Sequence, residues 1–199
     1  MRFLLFFVFL DAVLLAIVAC ADESLPKIDA FDLSDLNGRE VTPAAWQQYR
    51  AVVVVFLGTE CPVSNGYAPE LRRLYERFRS SDVEFYGVYG EPGITPQSAR
   101  QHAAEYQIPF TLVIDADQQL AGTIGARRMP EAAVVAPAGQ VLYRGRIDNR
   151  YLSNGQRRIE ATSHDLQAAL EAVLAGKSPQ PNETEAFGCP LPKPKRTKQ

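Results

Sequence analysis

Among 199 residues, three cysteines are the natural places to look for covalent chemistry: Cys20, Cys61 and Cys189. Cys61 stands in the run Gly58-Thr59-Glu60-Cys61-Pro62-Val63-Ser64, directly after an apolar stretch, Ala51–Leu57, that contains four consecutive valines. Such a stretch is a poor helix and a good buried strand. Beyond it, residues 63–78 have helical spacing, with Tyr67, Leu71, Leu74, Tyr75 and Phe78 on one face. Cys61 is therefore expected where a core strand hands over to a helix N-terminus. Free backbone N–H groups and the positive end of the helix dipole favour a thiolate there. The competing reading is a small cysteine filling a gap in the core. Glu60, Pro62 and Ser64 argue for a turn instead, so an exposed and reactive sulfur is expected.

The two ends bear on where that sulfur works. Residues 1–21 begin Met1-Arg2 and continue through an apolar run broken at Asp11, the pattern of a secretory signal. A retained membrane helix would need about 20 apolar residues, which makes it the weaker reading. Ile17-Val18-Ala19-Cys20 resembles the bacterial lipobox, with Cys20 as the lipidated first residue of the mature protein. A rival cut lies after Ala21. Either cut exports the chain, and a lipid on Cys20 would hold it at the periplasmic or cell-envelope membrane. Cys61 and Cys189 then share an oxidising compartment in which disulfides persist. The chain contains no C-x-x-C pair.

Three segments follow: a signal with lipobox over 1–20, one domain over 24–176, and a Pro-rich tail over 177–199. Lys193, Lys195, Arg196 and Lys198 make the tail basic, although the whole chain carries a formal charge of −2. The tail is expected to be extended and mobile, either solvated or touching anionic lipid. Within the domain, Asn37-Gly38 signals a hairpin. Strands are expected over 51–57, 83–88 and 111–114, and a hairpin over 131–146 around Pro137-Ala138-Gly139. Helices are expected over 43–49, 63–78 with Pro69 inside, 96–106, 118–125 and 165–174, the last capped by Ser163. Strand–helix alternation followed by a hairpin implies a parallel core with an antiparallel flank. No phosphate-cradling loop and no basic-aromatic surface appears, so nucleic acid is not an expected partner.

This order resembles the thioredoxin-like fold, a three-layer α/β/α sandwich with a mixed central sheet. More closely, the chain resembles the redoxin branch, also called alkyl hydroperoxide reductase/thiol-specific antioxidant, in its exported bacterial form. The likeness is carried by Ile28-Asp29-Ala30-Phe31-Asp32-Leu33, by Gly58 to Ser64, by Tyr67-Ala68-Pro69-Glu70-Leu71, by Tyr143 to Asp148 and by Glu183 to Cys189. It implies thiol oxidation–reduction with Cys61 as nucleophile and either a thiol/disulfide protein partner or a small peroxide. It also implies that Met129-Pro130 is the cis-proline opposite the active cysteine. Two departures stand out. Ser64 occupies the place of the second cysteine of dithiol oxidoreductases, where its hydroxyl could hydrogen-bond the thiolate. The threonine of the peroxidase pattern falls at Thr59, one residue late, and Pro130 stands where that pattern has arginine, leaving Arg127 and Arg128 as nearby cations. Disulfide exchange is thus favoured over peroxide reduction, with Thr59 and Ser64 polarising the site and Pro130 shaping its wall.

Cys189 lies beyond the last helix, in Phe187-Gly188-Cys189-Pro190. It could resolve an oxidised Cys61, pin the tail by a permanent disulfide, or link to another chain or assembly. His102 and His164 sit singly on helices, as surface histidines do, so no metal and no cofactor are expected. Arg146, Asp148, Arg150 and Tyr151 form either a rim over the site or a solvated loop. A non-catalytic binding or metal-handling module of the same fold is the contrasting functional class.

Overall fold

The computed structural model describes residues 25–152 and 155–193. Cys20 and the rest of the expected signal lie outside the described residues, as do Lys195, Arg196 and Lys198. The chain forms β1 (Leu33–Ser34), β2 (Glu40–Val41), β3 (Ala51–Leu57), α1 (Pro62–Phe78), β4 (Val83–Tyr89), α2 (Pro96–Tyr106) and β5 (Thr111–Ile114). There follow α3 (Gln119–Ile124), β6 (Arg128–Met129), β7 (Glu131–Val135), β8 (Val141–Gly145), α4 (Asp165–Leu174) and β9 (Cys189–Pro190).

Five strands make the central sheet in the order β5-β4-β3-β7-β8. β3, β4 and β5 run parallel, and β7 and β8 add an antiparallel flank. This is the mixed sheet of a thioredoxin-like sandwich. Every residue of β3 is buried, because both of its faces are covered. Ala51, Val53, Val55 and Leu57 point into one core with Tyr67, Leu71 and Leu74 of α1 and Leu166 and Leu170 of α4. Val52, Val54 and Phe56 point into the other, with Trp46 and with Leu120, Ala121 and Ile124 of α3. Two covered faces call for apolar residues at every position, hence the valine run.

The Asn37-Gly38 turn closes only a two-residue ladder, Leu33↔Val41 and Ser34↔Glu40. α1 continues through Pro69, which is exposed on its outer side. The cap of α4 falls on His164 rather than on Ser163, whose hydroxyl donates to Asp165 Oδ2 at 2.6 Å.

The largest departure from the sequence reading is the tail. Composition predicts a mobile segment, yet its described part is extended and docked. Arg144 N donates to Asn182 O, and Thr184 N donates back to Arg144 O, both at 3.0 Å. The Thr184 hydroxyl bonds Tyr143 Oη at 2.7 Å and accepts from Arg146 N at 3.1 Å. A Cβ on Gly145 would lie 2.2 Å from Thr184 O, so this glycine (φ +147°) lets the tail approach the edge of β8. A Pro-rich strand with few donors can dock this way because the body supplies the donors and acceptors.

Candidate active site

The end of β3 and the start of α1 place Cys61 as N-cap, its sulfur 3.5 Å from the Ser64 backbone N–H. Pro62 at the first helical position is favoured there because its missing N–H would lack a partner anyway. The sulfur is bonded to Cys189 in a disulfide across a Cα–Cα distance of 5.9 Å. It also lies 3.0 Å from the Met129 carbonyl oxygen. The Met129–Pro130 peptide bond is cis. β9 pairs antiparallel with β6, setting Cys189 opposite Met129.

One expectation is corrected here. Cys61 is at the strand–helix junction but is not exposed: only 3% of it is accessible. The tail lies over it, while Cys189 itself is half-buried. The cover is thus a segment of the same chain, joined to Cys61 by the disulfide and to β6 by a two-residue ladder, with further main-chain bonds on either side.

The turn leading into Cys61 is held from two sides. Glu91, just beyond β4, accepts from Thr59 N with both carboxylate oxygens (3.1 and 3.0 Å) and from the Thr59 hydroxyl at 3.2 Å. The Thr59 hydroxyl is therefore committed to Glu91 in this disulfide form. The Ser64 hydroxyl does not point at the sulfur either. It accepts from Gly58 N at 3.1 Å, and it is the Ser64 backbone that faces Cys61. On the other side, Asn65 Nδ2 donates to Thr59 O at 3.1 Å. Asn65 Oδ1 lies 2.8 Å from His102 Nε2, and His102 Nδ1 lies 2.7 Å from Tyr89 Oη. Because the Asn65 amide nitrogen faces a carbonyl, its oxygen must accept from His102 Nε2–H. Tyr89 then donates to Nδ1. His102 is buried, not a surface residue as its lone place on a helix suggests. Burial pushes its pKa below the ordinary imidazole value, with Glu105 pulling partly the other way.

Pro130 is buried in the wall beside the disulfide. After it, Glu131 accepts from Arg127 N (2.7 Å) and Arg128 N (3.0 Å), which fixes the β6 turn. The side chains of Arg127 and Arg128 are exposed, and Arg128 Nη1 reaches toward Gly188 O at 3.5 Å.

The first residues after β8, 146–151, do not form a solvated loop, whereas residues 155–157, Ile159 and Glu160 further along are exposed. Asp148 is buried and accepts from Tyr67 Oη at 2.6 Å and from Arg150 N at 2.8 Å. Burial, then the Asp148 carboxylate, pushes the Tyr67 phenol far above its usual range. Tyr151 packs over the first turn of α1, where a Cβ on Gly66 would meet its hydroxyl at 2.2 Å. Glu70, Asp148 and His164 bring ligand atoms within 4.8 Å of one another. Arg73 grips Glu70 with two bonds of 2.6 and 2.9 Å, so this cluster is an ion-paired network.

A family model described as the AhpC/TSA family matches residues 25–144. The chain belongs to the AhpC/TSA family. Within and around that family, a thiol-disulfide oxidoreductase ResA from Halalkalibacterium halodurans is 27% identical over 127 residues, covering 61% of this chain and 70% of its own. A chloroplastic peroxiredoxin Q from Sedum lineare is 31% identical over 85 residues, covering 43% and 44%. The chain thus spans less than half the length of that peroxiredoxin relative. Among solved structures, an uncharacterized conserved protein from Geobacillus kaustophilus superposes with a TM-score of 0.76 at 24% identity, covering 88% of this chain and 94% of that one. A cysteine-to-serine mutant of peroxiredoxin Q from Xanthomonas campestris gives 0.56 at 19%, covering 72% and 91%. These superpositions establish the thioredoxin-like fold. The sequence relatives are oxidoreductases of two kinds, disulfide-exchanging and peroxide-reducing.

Proposed function

We propose that this AhpC/TSA protein is a thiol–disulfide oxidoreductase in which Cys61 and Cys189 form one redox couple. The observation that carries this is the disulfide itself. It joins the helix-capping cysteine to a short strand laid beside the cis-proline. In the reduced state, the Ser64 N–H and the α1 dipole favour Cys61 as thiolate, the nucleophilic form. That thiolate attacks one sulfur of a partner disulfide, forming a mixed disulfide and expelling the partner's other sulfur as thiolate. Cys189 then attacks the Cys61 sulfur, closing the observed disulfide and releasing the partner's second thiolate. Two electrons leave this protein's dithiol and reduce one partner disulfide. The reverse sequence oxidises a partner dithiol. Cys189 takes the part that a second C-x-x-C cysteine would play, so Ser64 leaves no gap in the cycle.

Peroxide reduction is the second reading, kept by the peroxiredoxin relatives. Pro130, standing where the peroxidase pattern has arginine, weighs against it. Residues 1–20 are read as an export signal, with Cys20 as lipid anchor. Among the described residues no helix is long and apolar enough to cross a membrane. The deciding experiment mixes reduced protein with a small disulfide and, separately, with hydrogen peroxide. Cys61 should react with the disulfide faster than free cysteine does, and with peroxide no faster than free cysteine. The opposite pattern would overturn the assignment.

A further inference from the structure

Residues 187–192 lie in a groove whose parts all belong to the domain. Gly188 passes so close to the cis-proline turn that a Cβ on it would sit 2.2 Å from Met129 O, 2.7 Å from Met129 C and 3.1 Å from Pro130 Cδ. Two of these three atoms are backbone, which cannot swing aside. Cys189 and Pro190 pair with Met129 and Arg128. Leu191 N donates to Arg127 O at 2.9 Å. The Leu191 side chain packs against the core that contains Val88, Leu120 and Ala121, over Gly90, where a Cβ would meet its Cδ1 at 3.2 Å. Gln118 Nε2 donates to the Gly90 and Pro192 carbonyls and closes the far end. The groove therefore reads three things: a residue with no Cβ, a cysteine presented to Cys61, and an aliphatic side chain two positions later. Apart from Arg128 Nη1, 3.5 Å from Gly188 O, the bonds it supplies between these points are main-chain ones, which any extended peptide can match.

We infer that this groove is the acceptor site for the partner protein, and that it selects an extended segment of the form Gly-Cys-X-Leu or a near aliphatic equivalent. Residues 188–191 are its resident copy of that pattern. The inference rests on the exchange reaction proposed above and names the class of substrate for it. In the mixed disulfide the partner's cysteine replaces Cys189 opposite Met129. The tail and the partner compete for one strand position, so return of the tail accompanies expulsion of the partner. Attack by the Cys189 thiolate on the Cys61 sulfur then forms the internal disulfide, and the partner's cysteine departs as thiolate.

The test uses the full chain carrying Cys189→Ser and Gly188→Val. The valine meets Met129 O and drives the tail out, while Cys61 stays free. Three peptides, each with its cysteine disulfide-linked to 5-thio-2-nitrobenzoate, are presented: Gly-Cys-Ala-Leu, Val-Cys-Ala-Leu and Gly-Cys-Ala-Ser. Cys61 attacks the peptide sulfur and the coloured thiolate leaves. Gly-Cys-Ala-Leu should react at least about ten-fold faster than either of the others, the scale on which an apolar seat or a steric bar discriminates. Equal rates for the three peptides overturn the inference. The plain aromatic disulfide reagent is run alongside. Rapid reaction with it and no discrimination among peptides sinks the groove alone, whereas inertness toward every disulfide sinks the exchange reaction as well. A second variant pair, Cys189→Ser with Leu191→Ser, empties the groove by a different route and should rank the peptides identically.

Discussion

Removing the bond between Cys61 and Cys189 should destabilise the protein heavily and non-additively. The bond closes a loop with a sequence separation of 128 residues. In the chain-entropy account, a closure of that length restricts the unfolded chain by about 5 kcal/mol at 25 °C. For a domain of this size, each kcal/mol moves the melting temperature by about 2–4 °C, so reduction should lower it by roughly 10–20 °C. The assay is thermal unfolding of the oxidised chain, the reduced chain, Cys61→Ser, Cys189→Ser and the double variant. Either serine alone breaks the bond, so the double variant should melt close to the single ones, a coupling as large as the effect itself. Oxidised and reduced chains that melt within about 2 °C of each other would refute the reasoning, because a missing constraint of this size could not hide. Independent, additive losses from the two serines would refute it equally.

Other outcomes follow from the turn before Cys61. Glu91→Ala strips the acceptor from Thr59 N–H and its hydroxyl and should cost about 1–3 kcal/mol; loss of Thr59 amide protection in hydrogen exchange is the specific readout. Asn65→Ala leaves His102 Nε2–H without its partner and should cost a similar amount, about 1–3 kcal/mol, in urea unfolding. His102 is held neutral by burial, with Tyr89, Asn65, Tyr106 and Glu105 around it. Its folded value lies below its unfolded one, so its contribution is complete above about pH 6.5 and is lost as pH falls through the lowered folded value. His102→Gln should flatten that stretch of the stability–pH curve, and an unchanged slope would contradict the assignment. On the reading of residues 1–20 proposed above, Cys20→Ala should move the protein from the membrane fraction to the soluble one; continued membrane retention would rule out the lipid anchor.

The fold was legible because its signals are local. The valine run of β3, the face Tyr67-Leu71-Leu74 of α1 and the alternation of strands and helices each follow from a short window. The junction at Cys61 was legible for the same reason. What surrounds it was not, because the contacts are distant in sequence. Glu91 lies 32 residues from Thr59, and a cue did exist: it follows the strand parallel to β3, so its loop must lie beside the loop bearing Cys61. His102 gave no such cue, since its burial depends on Asn65 and Tyr89 arriving from two other elements. The tail misled for a physical reason. Proline-rich composition shows that a segment cannot build its own core, but it does not show that a neighbouring edge will refuse it. Gly145 and Gly188, the two points of close approach, carry no side-chain signal.

The most direct test of Cys61 and Cys189 as a single redox couple is a single turnover of the reduced protein with one equivalent of a protein disulfide, quenched by alkylation and mapped by mass spectrometry. The wild-type chain should end with the internal disulfide and a fully reduced partner, and Cys189→Ser should end with the partner trapped on Cys61. A partner trapped on Cys189, or a Cys61 alkylated throughout, would contradict it.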